Sequence, residues 1–113
     1  GDDYMIIVNN KEDIYDLLKK DCMTLLYFSS PSCAVCDVVR NKLELTLKDF
    51  PKISAYEIPP YNNEEILAHF NIFTFPAILL YIDGKEYLRE ARHFSVENLI
   101  QDITRYYELF NQK

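Results

Sequence analysis

The sequence lacks any apolar stretch long enough to cross a lipid bilayer. Its longest apolar runs, such as 76–82, contain far fewer than the roughly 20 residues that a membrane helix needs. Basic residues are also few: 12 Lys and Arg against 18 Asp and Glu give a formal net charge of -6. A chain of this charge has no electrostatic attraction to phosphate backbones or anionic headgroups. We therefore expect neither nucleic acid nor a membrane surface as a partner.

Cysteine is scarce, with three in 113 residues. Three cysteines are too few for the disulfide framework of a small secreted scaffold, so stability must come from an apolar core. The length and a 49% hydrophobic composition fit one domain spanning 1–113. The first residues lack the basic and apolar regions of a secretory signal. We expect a cytoplasmic protein, with an extracytoplasmic location left open if a signal preceded Gly1.

Apolar periodicity predicts nine secondary-structure elements in the order βαβαβαββα. Strands are expected at 4–8, 23–28, 53–58, 76–82 and 85–92. Helices are expected at about 11–20, from about 33 to 50, near 62–70 and after 95. Caps are predicted at Asn10, at Ser95 and, through a capping box with Glu65, at Asn62. Asp83-Gly84 predicts a two-residue hairpin turn between the last two strands.

Cys33 and Cys36 are separated by two residues at the start of the long second helix. We expect Cys33 in the first turn, where unpaired backbone N–H groups and the helix dipole stabilise a thiolate. Cys36 belongs to the apolar stripe of Val39 and Leu43, which directs its sulfur toward the core. This arrangement predicts an exposed nucleophile, Cys33, and a shielded resolving thiol, Cys36.

Two other interpretations of the Cys33 and Cys36 pair, a zinc site and an inert buried pair, have less support from the sequence. A structural zinc site needs four ligands, and only Cys22, His69 and His93 remain, with no ligand-like spacing. We therefore expect no metal. The cysteines could instead be an inert buried pair. Cys22 itself is expected to be a small buried apolar residue before the second strand.

Four segments together resemble thioredoxin: the strand 25–28, the motif Cys33-Ala34-Val35-Cys36, the segment 72–76 and the hairpin 83–85. The resemblance implies a thioredoxin-like α/β fold, a three-layer α/β/α arrangement around a central mixed sheet, with no cofactor. It also implies that Pro76 is a cis-proline beside the dithiol. In that case the backbone of Thr74 and Phe75 would pair with a substrate peptide as an added strand.

The chain departs from thioredoxin between and before its cysteines. Thioredoxin has Gly-Pro between the cysteines and tryptophans before them, whereas this chain has Ala34-Val35 and contains no tryptophan. Tyr27 stands where thioredoxin buries an aspartate, and Glu57 where it has a lysine. Our hypothesis is that Glu57 supplies the missing carboxylate, with a pKa raised by burial, and accepts the proton of Cys36. The alternative is a solvated glutamate at a strand end.

Arg92 stands where thioredoxin has a glycine near its groove. If Arg92 faces the dithiol, it favours the Cys33 thiolate and acidic substrates. The alternative is a solvated side chain at a strand end.

The leading functional hypothesis is a thiol-disulfide oxidoreductase that reduces protein disulfides. Its expected partners are disulfide-containing proteins and a reductase or thiol system that regenerates the dithiol, and we expect a monomer. One rival is a redox-inactive thioredoxin-fold binding or adaptor module. Another is an extracytoplasmic thiol oxidase or isomerase, which would use the same sulfurs at a higher potential.

Overall fold

The apolar segments form nine elements in the computed structural model, which describes residues 4–112. The strands are β1 (Met5–Ile7), β2 (Met23–Phe28), β3 (Ile53–Ile58), β4 (Ala77–Ile82) and β5 (Lys85–Ala91). The helices are α1 (Lys11–Lys20), α2 (Cys36–Leu47), α3 (Glu64–His69) and α4 (Val96–Phe110). The predicted order βαβαβαββα is confirmed. The predicted domain limits at 1 and 113 lie outside the described residues.

The five strands form one mixed sheet in the order β1-β3-β2-β4-β5. β2 lies at its centre, parallel to β3 and antiparallel to β4. Every residue of β2 is buried, as its continuous apolar run predicts for a strand covered on both faces. Successive side chains point to opposite faces, so Leu25 and Tyr27 enter one core cluster while Leu26 and Phe28 enter the other.

Helices cover both faces of the sheet. α2 and α4 pack on the face of Leu25, where Leu43 and Leu99 are almost fully buried. α1 and α3 pack on the opposite face through Ile14 and Ile66. The three-layer α/β/α arrangement is therefore present. Within residues 4–112, no helix is long and apolar enough to cross a membrane.

Two of the three predicted helix caps are confirmed. The Asn10 side chain accepts a hydrogen bond from the Glu12 amide (2.9 Å), and Ser95 accepts one from the Asn98 amide (3.2 Å). The cap predicted at Asn62 is wrong. Asn62 has a φ of 60°, in the left-handed region, whereas a capping residue needs an extended backbone. The helix begins two residues later, at Glu64.

The hairpin between β4 and β5 turns at Asp83 and Gly84, as predicted. Their φ values are 51° and 79°, and positive φ at both positions is what the favoured two-residue hairpin turn requires. This turn lies at the far end of β4 from the cysteines.

Candidate active site: the Cys33–Cys36 pair

The two cysteines meet in the loop that joins β2 to α2. They form a disulfide bond, and their Cα atoms are 5.5 Å apart. The Cys33 amide donates to the Ser30 carbonyl (3.1 Å), and the Cys36 amide donates to the Cys33 carbonyl (3.3 Å). These two bonds form a tight chain reversal just before the helix, and this reversal brings the sulfurs together.

Cys33 precedes α2 rather than lying in its first turn, so that part of the sequence prediction is wrong. The first helical bond of α2 joins the Val39 amide to the Val35 carbonyl (3.0 Å). The preceding residues are instead held in turns by the Ser30 and Cys33 carbonyls. Val35 provides no side-chain cap, so the next two amides of α2, those of Asp37 and Val38, remain available to an anion at this end of the helix.

The two sulfur-bearing residues differ in exposure. Cys36 is buried, with 2% of its surface exposed, and belongs to the core cluster of Val39 and Leu43. Cys33 is only partly buried and packs against the edge of the same cluster. An incoming molecule can therefore reach Cys33 more easily than Cys36.

Pro76 lies beside the dithiol at the entrance to β4. The Phe75–Pro76 peptide bond is cis, and the Pro76 carbonyl accepts a hydrogen bond from the Arg92 amide (2.9 Å). Thr74 and Phe75 are partly buried and belong to no strand. No backbone hydrogen bond within residues 4–112 engages either of them. Their peptide groups are therefore free to pair with another chain.

Tyr27 contacts Cys36 from the interior of the protein. It is fully buried, and its hydroxyl donates to the Cys36 carbonyl (2.5 Å). The Arg40 guanidinium carbon lies 6.0 Å from the Tyr27 ring centroid, on the helix that Cys36 begins. Burial raises the pKa of the Tyr27 phenol well above its usual range, so the group remains a neutral donor at physiological pH.

Glu57 lies on β3 beside Tyr27 and is tied to two neighbours. Its carboxylate accepts hydrogen bonds from the Ser29 hydroxyl (2.7 Å) and the Arg40 Nε (2.8 Å), and it forms an ion pair with Arg40 Nη2. The third guanidinium nitrogen of Arg40, Nη1, donates to Asp37 (2.5 Å). We call Tyr27, Ser29, Arg40 and Glu57 the interior cluster.

The expected rise in the pKa of Glu57 is wrong. Burial does push the pKa of this carboxyl upward, but hydrogen bonds and charge from Arg40, with the Ser29 hydroxyl, outweigh that effect and leave the pKa below its usual value. Glu57 is buried, not a solvated strand end, yet it is an anion fixed by a cation. A carboxylate in this state is a poor acceptor for the proton of Cys36.

Arg92 directly follows β5, and its amide is bonded to the Pro76 carbonyl. It is exposed and contributes to a groove of about 310 Å³. The groove is lined by Val35, Val38, Val39, Pro76, Arg92, His93, Phe94 and Val96. Val35 and Val38 are about half exposed, at 52% and 55%, so the groove offers an apolar surface beside the motif. We call this surface the substrate groove.

Cys22 is exposed, and the expectation that it is buried is wrong. It lies in the loop between α1 and β2, one residue before the buried strand begins. A hydrogen bond to Asp83 raises the pKa of the Cys22 thiol, which disfavours its nucleophilic thiolate form. Among residues 4–112, no group of three or more His, Cys, Asp or Glu side chains is arranged to hold a metal ion.

A family model described as Thioredoxin matches residues 5–105. The chain belongs to the thioredoxin family. It is 38% identical over 97 residues to the thioredoxin-like protein YdfQ of Bacillus subtilis, covering 86% of this chain and 87% of that protein. Together with the paired cysteines, this membership supports a thiol-disulfide oxidoreductase.

Solved thioredoxin structures share the fold. Thioredoxin from Trypanosoma brucei brucei superposes with a TM-score of 0.82 at 19% identity, covering 90% of this chain and 89% of that one. Oxidised mitochondrial thioredoxin 3 from Saccharomyces cerevisiae gives a TM-score of 0.82 at 15% identity, with coverage of 89% and 94%. At such low identity, the likeness concerns the fold alone.

Sequence reasoning did not find Ser29 and Arg40. Arg40 lies four residues after Cys36, one helical turn along, and this spacing is a signal that the two residues share a helix face. Ser29 carries no comparable signal, because its partner Glu57 is 28 residues away and reaches it only when β2 and β3 pair. Val38 and Phe94 of the substrate groove were missed because nothing in the sequence distinguishes them from core residues.

Proposed function

We propose that this thioredoxin-family protein reduces disulfide bonds in other proteins, with Cys33 as nucleophile and Cys36 as resolving thiol. The observation that carries the proposal is the difference in exposure between two cysteines that already pair: Cys33 is partly accessible, whereas Cys36 is buried. The uncapped start of α2 adds to it, because helix N-terminal amides favour a thiolate at this position.

The reaction proceeds by two exchanges. The Cys33 thiolate attacks one sulfur of a substrate disulfide, so a mixed disulfide forms and the other substrate sulfur leaves as a thiolate that takes a proton from water. Cys36 then gives up its proton, and its thiolate attacks the Cys33 sulfur. The Cys33–Cys36 bond forms, and the second substrate thiolate leaves. The substrate gains the two electrons that the dithiol loses, and its two thiolates take up two protons, one released by Cys36 and one supplied by water.

Thr74, Phe75 and Pro76 would hold the substrate chain during the first exchange. The free peptide groups of Thr74 and Phe75 support this role, because an extended peptide can bind them as an added strand. Arg92, whose amide is bonded to the Pro76 carbonyl, would contact the same chain in the substrate groove. Regeneration then needs a reductase or a small-molecule dithiol that returns two electrons to the disulfide.

The proton of Cys36 would pass to water or to the departing substrate thiolate in this scheme. Glu57 is held as an anion by Arg40, which argues against our hypothesis that it takes the proton. The mechanism therefore does not use it.

The test is reduction of insulin disulfides with dithiothreitol as electron source. We expect the wild type to accelerate reduction, Cys33→Ser to abolish the acceleration, and Cys36→Ser to accumulate a mixed disulfide detectable by mass spectrometry. Cys22→Ser is the matched control and should retain full activity. If the wild type gives no acceleration while its disulfide opens and closes normally, the reductase proposal fails.

The reduction potential decides the direction of electron flow. Equilibration with glutathione buffers, followed by alkylation and mass measurement, yields the potential of the Cys33–Cys36 pair. A value near about -270 mV supports a reductase, whereas one near about -120 mV indicates an oxidant.

A further inference from the structure

The substrate groove is not lined by any acidic side chain from residues 4–112, although the protein as a whole is acidic. The sequence has 18 Asp and Glu against 12 Lys and Arg. Arg92 and His93, in contrast, both line the groove. Two carboxylates near the groove are already engaged: Asp37 pairs with Arg40 and Glu97 pairs with Lys42. The groove therefore offers an anionic group a cation, with no carboxylate from residues 4–112 in its lining.

The Arg92 backbone adopts a conformation that an arginine rarely takes. Its φ of 71° lies in the left-handed region, where a residue with a Cβ atom is sterically strained. Four other residues among 4–112 have positive φ, and all are of types that tolerate it: Asn62, Asn71, Asp83 and Gly84. Arg92 is the exception, and non-glycine residues held in this region cluster at ligand-binding sites.

The Arg92 side chain is exposed and forms no ion pair with any residue from 4 to 112. Three other arginines do pair with a carboxylate within one helical turn or strand: Arg40, Arg89 and Arg105. The Arg92 charge is therefore not neutralised by the protein. A guanidinium in this state binds a carboxylate through two parallel hydrogen bonds when one is presented to it.

We propose that the substrate groove selects disulfide substrates that carry an acidic residue, next to an apolar one, beside the reacting cysteine. Val35 and Val38 contact the apolar side chain, and Arg92 pairs with the carboxylate. Arg92 is thus a specificity-determining residue. The inference rests on the proposed function, because the groove must be presented to a disulfide-containing chain.

The test uses short peptides joined as homodimers by one disulfide. Each peptide has a leucine on one side of the cysteine and Glu, Gln or Lys on the other. Both arrangements are tested, with the leucine before the cysteine and with the leucine after it. The fully reduced protein is mixed with each peptide under single-turnover conditions, and its oxidation is followed by acid quench, alkylation and mass measurement. For the arrangement that reacts faster, we expect the Glu peptide to react about three- to tenfold faster than the Lys peptide at low salt. A rate effect of this size is typical of one exposed charge pair.

Variants show whether Arg92 is the cause. Arg92→Gln should reduce the Glu-to-Lys rate ratio to about one, and Arg92→Glu should invert it. Lys85→Gln is the matched control: it removes one exposed positive charge at the far end of β5 and should leave the ratio unchanged. In 0.5 M salt, the wild-type ratio should also fall toward one because exposed charges are screened.

Two results would overturn the inference, and only one of them also refutes the proposed function. A Glu-to-Lys rate ratio that is the same in wild type and Arg92→Gln refutes the role of Arg92 but is compatible with disulfide reduction. Failure of the wild type to react with any peptide, the Gln peptide included, removes both the inference and the proposed function.

Discussion

The substrate groove and the interior cluster each contain an arginine, and they hold it in opposite ways. Arg92 is exposed, forms no ion pair among residues 4–112 and sits on a left-handed backbone. Arg40 is about one-third exposed and bonded to two carboxylates while lying over a buried aromatic ring. The surroundings therefore decide the role: one guanidinium is free to meet a ligand, and the other is fixed as part of the scaffold behind Cys36.

The same contrast explains how this chain departs from thioredoxin. The resemblance implies a buried aspartate and a lysine near the resolving cysteine, and here Tyr27 and Glu57 occupy those positions. The exchange places a neutral phenol against the Cys36 backbone and a carboxylate that needs its own counter-ion. Arg40 supplies that counter-ion from α2. The interior cluster thus retains buried polar groups, but none is a free acid or base.

The largest expected effect comes from removing the cation of the interior cluster. Arg40→Met should lower the free energy of unfolding by about 2–3 kcal/mol, less than for a fully buried pair because Arg40 is partly exposed. The loss arises because Glu57 is left buried without its partner. Urea unfolding at pH 7, followed by circular dichroism, measures it.

Arg105→Met is the control for that prediction. Arg105 also pairs with an aspartate three residues away on a helix, but both side chains are more exposed. We expect a change within about 0.5 kcal/mol. Equal effects at Arg40 and Arg105 would show that the interior cluster stabilises the protein no more than a surface pair does.

The second effect is a dependence of stability on pH. The lowered pKa of Glu57 means that its ionised form is favoured in the folded state, so it stabilises the protein above its unfolded pKa of about 4.3. This contribution is lost as pH falls through the folded pKa. Glu57→Gln, which cannot ionise, should be about 1–2 kcal/mol less stable than wild type at pH 7. The difference should shrink steadily below pH 4.3.

Unfolding by urea at several pH values between 3 and 7 gives that difference directly. Glu108→Gln, at an exposed position on α4, should show a much smaller difference from wild type at every pH. A difference between wild type and Glu57→Gln that grows on acidification would contradict the sign of the pKa shift.

The smallest effect is expected at Arg92 and has the opposite sign. Arg92→Gly should raise the free energy of unfolding by about 0.5–1 kcal/mol, because glycine adopts positive φ without steric cost. The same change should remove the preference for acidic substrates. A stability gain with loss of selectivity is what distinguishes this arginine from Arg40, whose removal destabilises the fold.

Asn71→Gly provides a comparison, since Asn71 has a φ of 57° but is a residue type that tolerates it. It should gain less stability than Arg92→Gly. If Arg92→Gly is destabilising, then the arginine side chain contributes more to packing than its exposure suggests.

Local sequence patterns predicted most of the fold because the signals are short in range. The continuous apolar run at 23–28 matches β2 residue for residue, since burial on both faces favours apolar side chains. The strand-like alternation at 53–58 likewise matches β3 residue for residue. The start of α2 was less predictable. Its first residues are decided by which carbonyls the loop offers to their amides, and no side-chain cap marks the boundary.

The candidate site also has features that local sequence patterns predict and features that they do not. The spacing of Cys33 and Cys36 at a predicted helix start was enough to predict that they lie close together, because residues three apart meet where the chain turns. What surrounds them depends on how distant segments pack. Glu57 comes from β3, Ser29 directly follows β2, and Arg40 comes from α2. A buried carboxylate is ionised or neutral according to the charges that packing brings to it.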